Sequence, residues 1–201
     1  MFDGPSRPII IAHSFGASVG LSAMEYAGER FAGLIICDLM VMRPEKLMAI
    51  WEAEGLARPA SSNPNKRNNI YPDYETASGR YVLSPPQTVK APFLMDYMAY
   101  HSLHEVDGGW TWKFDPQVFT RNEDDQQSWL QTGQRIADLK HKIVIIYGQK
   151  SALFDTDSID YIKELGGDHI PLIEVPDAEH HLMLDQPLAF VTGLRSVLAL
   201  W

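Results

Sequence analysis

Cysteine and basic residues are both scarce in this sequence of 201 residues. Cys37 is the single cysteine, so no disulfide can form within the chain, and that usage is typical of a reducing compartment. The 17 Lys and Arg residues are outnumbered by 26 Asp and Glu, which leaves a net charge of −9. A surface that acidic disfavours binding to nucleic acid and to anionic membranes. We therefore expect neither of them as a partner.

Long apolar runs are absent as well. The apolar runs, such as residues 8–12, are far shorter than the roughly 20 apolar residues that cross a bilayer as a helix. Residues 1–5 contain neither the basic start nor the apolar centre of a secretion signal. These absences predict a soluble protein of the cytoplasm.

Four short apolar segments, by contrast, are typical of buried strands: residues 8–12, 32–37, 142–147 and 170–175. Three of them are followed by predicted helices, over residues 17–30, 159–165 and 187–201. Strands that alternate with helices pair in parallel and carry the helices on their faces, and an apolar character throughout suits strands covered on both sides. The sequence therefore predicts an α/β fold with a parallel sheet.

The segment after the first strand, Ala12-His13-Ser14-Phe15-Gly16, places a serine where a strand gives way to a helix. A sharp, strained turn there needs small neighbouring residues and lifts the serine hydroxyl clear of the sheet. The helix N-terminus beyond it favours developing negative charge. The alternative is that Ser14 only caps the helix.

This strand, turn and helix resemble the nucleophile elbow of the α/β hydrolases, G-x-S-x-G, with Ala12 in place of the first glycine. The resemblance implies that Ser14 is the nucleophile and that the Phe15 N–H is an oxyanion donor. Beside the serine, His13 becomes a candidate for the substrate pocket.

Residues 177–187 resemble the histidine loop of the same family, which follows the last strand and ends at the proline of the closing helix. The resemblance implies that His180 is the general base, because Glu179 takes the place of the glycine that usually precedes it. His181 is the alternative base. A structural pair of histidines, or a chance metal site, is the alternative to either.

Many members of this family carry the acid of the triad in a G-x-x-D turn after the strand that is predicted here at residues 142–147. Ser151 stands in that place, so the carboxylate is missing. Some members place the acid after the strand that follows the nucleophile helix, which implies Asp38 here. Asp155 is the runner-up. The structural alternatives are a turn-starting residue for Asp38 and a helix cap for Asp155.

Residues 43–135 occupy the position of the family's lid. We expect them to form a helical insertion, with helices at 44–56, 74–83 and 92–104 and a loop at 108–112, and residues 1–42 and 136–201 to form the core. Trp110 and Trp112 are candidates for the substrate pocket, because aromatic rings offer a large apolar contact area. Packing within the lid explains them equally well.

Family members have several strands, and a loop with a second oxyanion donor, before the nucleophile strand. Only seven residues precede residue 8 here, so we expect the C-terminal part of the fold, from a truncated reading frame or from a short protein that swaps domains or is completed by a partner. A strand edge left bare would allow self-association.

The resemblance implies a serine hydrolase that cleaves an ester or related acyl bond of a small molecule with an apolar or aromatic moiety, through an acyl-enzyme. It implies no metal, nucleotide or redox cofactor. Two alternatives stay open: a catalytically incomplete fragment or binding module of the same fold, and a hydrolase of carbon–carbon bonds in diketone-like substrates.

Overall fold

The computed structural model describes residues 7–53, 66–119, 123–166 and 169–201. The strands in these ranges are β1 (Ile9–His13), β2 (Gly33–Cys37), β3 (Leu103–Val106), β4 (Gly109–Trp112), β5 (Ile143–Gly148) and β6 (Leu172–Val175). The α-helices are α1 (Phe15–Ala27), α2 (Pro44–Ala53), α3 (Tyr74–Ser78), α4 (Pro92–Ser102), α5 (Glu123–Leu130), α6 (Thr132–Asp138), α7 (Thr156–Gly166), α8 (Leu182–Asp185) and α9 (Pro187–Ala199). In the described ranges, none of the helices combines the length and apolar character that a bilayer span requires.

The four strands predicted from the sequence form one parallel sheet in the order β1-β2-β5-β6. His13 is in register with Cys37, and Cys37 with Ile146, so the carboxyl ends of the first three strands meet at one edge of the sheet. Gly148 pairs with Val175, which brings the end of β6 to the same edge. The predicted α/β fold with a parallel sheet is therefore confirmed.

Side chains that alternate along the strands fill a separate core on each face of the sheet. Leu34 and Ile36 of β2 pack with Leu21 and Met24 of α1 on one face, while Ile35 packs toward α9 on the other. Each of these residues is at least 99% buried. Helix α6, which spans the predicted boundary at residues 135 and 136, adds the buried Ile136 to the core on the α1 face.

Cys37 belongs to the core on the α9 face. Burial, and secondarily the nearby Asp38, raise the pKa of its thiol to about 12, so the group stays protonated at neutral pH. The interpretation of Cys37 as a core residue is consistent with this position.

The first strand has a free edge in the described part of the chain, because β1 pairs with β2 alone. Ile11, at the middle of β1, is 45% exposed. Self-association through this edge stays a prediction.

The region between residues 43 and 135 differs from the predicted all-helical insertion. Helix α3 ends at Ser78 and α4 at Ser102, and residues predicted to form a loop belong to a β-hairpin of β3 and β4. Val106 pairs with Gly109, so the turn consists of Asp107 and Gly108 alone. Asp-Gly between strands is a strong hairpin signal, since the glycine takes the left-handed conformation; Gly108 has a φ of 88°. The predicted helix 44–56 is described as far as Ala53, and its last residues lie outside the described ranges.

Candidate active site

Ser14 lies in a strained turn between β1 and α1. Its backbone has φ 52° and ψ −128°, a left-handed region that residues other than glycine seldom adopt. The Ser14 N–H donates a 3.0 Å hydrogen bond to the carbonyl oxygen of Cys37, which ties the turn to the end of β2. The Ser14 side chain makes no capping hydrogen bond to α1, so the helix-cap alternative does not describe it.

The Ser14 hydroxyl instead contacts the histidine loop. Ser14 Oγ lies 2.9 Å from His180 Nε2, and His180 Nδ1 lies 2.8 Å from Asp38 Oδ1. Because a carboxylate only accepts hydrogen bonds, Nδ1 carries the proton that it donates to Asp38. In the neutral ring, Nε2 is then left to accept the hydrogen bond from the serine hydroxyl.

Asp38 is held directly after β2 in a turn with φ 48°. It has no solvent exposure, yet both of its carboxylate oxygens are hydrogen-bonded. Oδ1 accepts from Ser151 Oγ at 2.5 Å as well as from His180, and Oδ2 accepts from the N–H of Gly148 at 2.7 Å. A buried carboxylate is tolerated where such bonds replace its hydration.

The runner-up acid, Asp155, lies elsewhere. It forms a 2.8 Å ion pair with Lys46 and accepts a 3.1 Å hydrogen bond from the N–H of Ser158 in the first turn of α7. These contacts are those of a helix cap with a charged neighbour. The structure brings Asp38, and not Asp155, to His180.

His13 and His181 flank His180. The ring of His13 is centred 4.6 Å from that of His180 and 5.4 Å from that of His181, and the last two rings are 4.8 Å apart. His13 Nε2 donates to the carbonyl oxygen of His180 at 2.9 Å, and the backbone N–H of His181 donates to Gln87 Oε1 at 2.7 Å. His181 therefore lies beside His180, and no hydrogen bond in the described part of the chain joins it to Ser14.

Burial keeps the two flanking rings uncharged. It lowers the pKa of His13, and it lowers that of His181 to about 4, helped by the neighbouring His180 and His13. His181 Nε2 is buried and has no hydrogen-bond partner in the described part of the chain.

Comparison with known proteins agrees with this arrangement of strands and loops. Residues 2–193 match the model of the Alpha/beta hydrolase family. The chain belongs to the α/β-hydrolase family. A comparison with curated proteins gives no match.

Several solved structures share the fold of this α/β hydrolase. One is E-2-(acetamidomethylene)succinate hydrolase, with 18% identity and a TM-score of 0.69 over 96% of this chain and 66% of the other. A second is the thioesterase domain from the curacin biosynthetic pathway, with 18% identity, a TM-score of 0.67 and coverage of 96% and 68%. An esterase from Mycobacterium tuberculosis has 15% identity, a TM-score of 0.67 and coverage of 96% and 60%. The chain thus spans between 60% and 68% of the length of these structures.

The remaining candidate residues of this α/β hydrolase are Phe15, Trp110 and Trp112. Phe15 is the first residue of α1, and the first N–H groups of a helix have no acceptor within it. Trp110 and Trp112 lie on β4. The ring centroid of Trp110 is 5.3 Å from that of Tyr74, and the ring centroid of Trp112 is 6.0 Å from that of Tyr81. No described contact joins either tryptophan to Ser14 or His180, and their place in a substrate pocket stays a prediction.

Two residues of the site were not predicted from the sequence. Ser151 stands where the family usually has its acid, and the missing carboxylate was the only signal that it offered. Gln87 lies in the insertion without a recognisable motif, yet its side-chain oxygen bonds the backbone beside the base, and its Nε2 is buried without a partner among the described residues.

Proposed function

We propose that this α/β hydrolase cleaves an ester or related acyl bond, with Ser14 as nucleophile, His180 as general base and Asp38 as the acid of the triad. The observation that carries the proposal is the unbroken chain of hydrogen bonds from Ser14 Oγ through the His180 ring to Asp38. The serine is held in a strained turn that exposes its hydroxyl to the base, as a nucleophile requires.

In the first half of the reaction, His180 Nε2 takes the proton of Ser14 as Oγ attacks the acyl carbon. Asp38 holds the ring by its Nδ1–H and stabilises the imidazolium that forms. The imidazolium then gives its proton to the leaving group as the tetrahedral intermediate collapses. Water, deprotonated by the same nitrogen, attacks the acyl-serine and releases the acid.

The negative charge on the intermediate needs hydrogen-bond donors that are already in place. The N–H of Phe15 is one, because it follows the nucleophile and begins α1, whose N-terminus carries a partial positive charge. Removal of one such donor lowers the rate of the reaction roughly a hundredfold to a thousandfold.

The insertion between residues 43 and 135 would act as the lid that selects substrates. The hydrogen bond between Gln87 and the backbone of His181 supports this role, because it joins the insertion to the histidine loop. Substrates with an apolar or aromatic moiety would suit the exposed aromatic side chains of the region, such as Phe93, Tyr97 and Tyr100. Trp110 and Trp112 remain candidates for that contact.

Ester or thioester cleavage is favoured over carbon–carbon hydrolysis by the names of two proteins with the same fold, a thioesterase domain and an esterase. A binding module that keeps the triad without turnover would show a serine that does not react.

The test is labelling of the chain with a fluorophosphonate probe, read by mass spectrometry, for the wild type, Ser14→Ala and Ser196→Ala. Ser196 is the control, because among the described residues its hydroxyl bonds the carbonyl oxygen of Thr192 on α9 alone. We expect labelling on Ser14 in the wild type and the control, and none in Ser14→Ala. A folded wild-type chain that does not label, or labelling that persists in Ser14→Ala, would refute the proposal.

A further inference from the structure

Three imidazoles meet at the carboxyl edge of the sheet, which is more than a serine triad uses. One ring nitrogen from each of His13, His180 and His181 lies within 4.8 Å of the other two. The Ser–His–Asp chain requires only His180, so the other two rings have no part in the proposed acyl transfer.

The hydrogen bonds of these rings follow the pattern of metal ligands. A histidine that binds a metal through one nitrogen commonly donates the other N–H to a carboxylate or a backbone carbonyl. His180 donates Nδ1–H to Asp38, and His13 donates Nε2–H to the carbonyl oxygen of His180. His181 has the backbone of Pro85 as a hydrogen-bond partner, and among the described residues its Nε2 has none.

One nitrogen on each ring is consequently left as a lone-pair donor. These atoms are Nδ1 of His13, which no described residue contacts by a hydrogen bond, and Nε2 of His180 and of His181. A buried nitrogen without a partner, as His181 Nε2 is, costs free energy that coordination to a metal would recover.

The three histidine nitrogens would have to move closer together to bind one metal ion. Zinc binds imidazole nitrogen at about 2.0–2.1 Å, so two nitrogens on one tetrahedral zinc are about 3.3 Å apart. One nitrogen of each ring already lies within 4.8 Å of the others, and side-chain rotation would close the remaining distance. Because His180 Nε2 also accepts the bond from Ser14 Oγ at 2.9 Å, a metal on that nitrogen and a serine hydrogen bond exclude each other.

We propose that His13, His180 and His181 form a site for a divalent transition metal such as Zn²⁺. The bound metal inhibits Ser14, because it takes the lone pair of His180 Nε2 that would accept the serine proton. The inhibitory half rests on the function proposed above, whereas the binding half does not. No bond is made or broken in the protein: the metal occupies Nε2 of His180, and Ser14 keeps its proton.

Binding is tested first, by calorimetric titration of Zn²⁺ into chelator-treated full chain, with Co²⁺ absorption as a second readout of nitrogen coordination. The variants are His13→Gln, His181→Gln and the control His104→Gln, an exposed histidine on β3. We expect one site in the wild type and the control. We expect affinity to fall more than about tenfold in the other two, since even the loss of an outer hydrogen-bond partner costs a metal site tenfold to a hundredfold. Absence of a saturable site, or affinity unchanged in His13→Gln and His181→Gln, would overturn the proposal.

Inhibition is tested by the rate of fluorophosphonate labelling of Ser14 at increasing Zn²⁺. We expect labelling to fall with the midpoint of the binding curve and to recover on addition of chelator. Labelling that is unaffected, or accelerated, by saturating Zn²⁺ would overturn the proposed inhibition by the metal. A chain that binds Zn²⁺ through these histidines but never labels would refute the proposed function and leave the metal site standing, so the two failures are distinguishable.

Discussion

Ser151 donates a 2.5 Å hydrogen bond to Oδ1 of Asp38, the same oxygen that accepts the hydrogen bond from His180 Nδ1–H. Ser151 occupies the position after β5 where many α/β hydrolases carry the acid itself. In this chain the carboxylate that bonds His180 comes from the end of β2, and the Ser151 hydroxyl at the other position donates a hydrogen bond to it. The two positions follow neighbouring strands, β2 and β5, and this hydrogen bond joins their side chains.

The first prediction concerns the choice of acid. Asp38→Asn keeps the size of the side chain but removes its charge and its preference for the Nδ1–H tautomer, so we expect the rate of Ser14 labelling to fall by about 10⁴. Asp155→Asn is the matched control and should leave the rate nearly unchanged, because Asp155 pairs with Lys46 and caps α7. Thermal unfolding of both variants checks that they fold. Equal rate losses in the two would contradict the assignment.

The second prediction is that the carboxylate can be moved. Asp38→Ser should abolish most of the labelling, and the double variant Asp38→Ser with Ser151→Asp should restore part of it, because residue 151 already reaches the oxygen that faces His180. The double variant Asp38→Ser with Ser151→Asn is the control, because asparagine has nearly the shape of aspartate but carries no charge. The measurement is again the labelling rate, and restoration by both double variants alike would contradict a role for the charge.

The third prediction is a loss of stability in acid that depends on His181. Folding lowers the pKa of this ring from 6.5 to about 4, so between those values the unfolded chain binds a proton that the native chain does not. Lowering the pH through this window therefore favours unfolding, while above it the ring contributes no pH dependence. We expect the free energy of unfolding in urea to fall more from pH 7 to pH 5 in the wild type than in His181→Phe.

His181→Phe also lowers the free energy of unfolding through lost contacts. That loss is the same at both pH values, so it does not affect the change between them. His104→Gln serves as the control for an exposed histidine. Equal falls in the wild type and His181→Phe would show that burial does not hold His181 neutral.

The fourth prediction contrasts two glycines near the site. A Cβ at Gly148 would lie 2.5 Å from the carbonyl oxygen of Glu179 and 2.6 Å from that of Ala178, both in the backbone just before His180. A Cβ at Gly16 would meet nothing within 4 Å. Gly148→Ala should therefore cost about 1–3 kcal/mol in the free energy of unfolding. It should also slow Ser14 labelling by displacing the histidine loop.

Gly16→Ala should change stability by less than about 0.5 kcal/mol, as surface substitutions usually do. Chemical unfolding gives both free energies. A comparable loss in Gly16→Ala would mean that this glycine is required for packing, for which the described contacts offer no reason.

The strands could be predicted because their signal is local. Residues 143–147 are apolar throughout and β-branched for the most part, and such a run forms a buried strand wherever both faces of the sheet are covered. The sequence does not predict the hairpin β3–β4, because the consecutive glycines Gly108 and Gly109 indicate a loop. Asp107-Gly108 is also a hairpin signal, and the structure shows that it forms the turn.

The site was predictable where a residue follows a strand directly. Ser14, Asp38 and His180 each come shortly after the carboxyl end of a strand, and parallel strands bring those ends to one edge, so order along the chain implies proximity. Gln87 is not attached to the sheet in this way. Its contact with His181 joins residues that are 94 positions apart, and no spacing in the sequence indicates it.

The sequence by itself determined the elements and their order: which segments are strands, which serine stands at a strand-to-helix turn, and which histidines follow the last strand. Those features depend on the periodicity of side chains and on the backbone preferences of neighbouring residues, and both are local. Only the tertiary structure decided which of two carboxylates bonds His180, that Ser151 supports it, and that three imidazoles share one cluster. These contacts depend on angstrom-scale distances between segments far apart in the chain, which are set by how the helices and the insertion pack on the sheet.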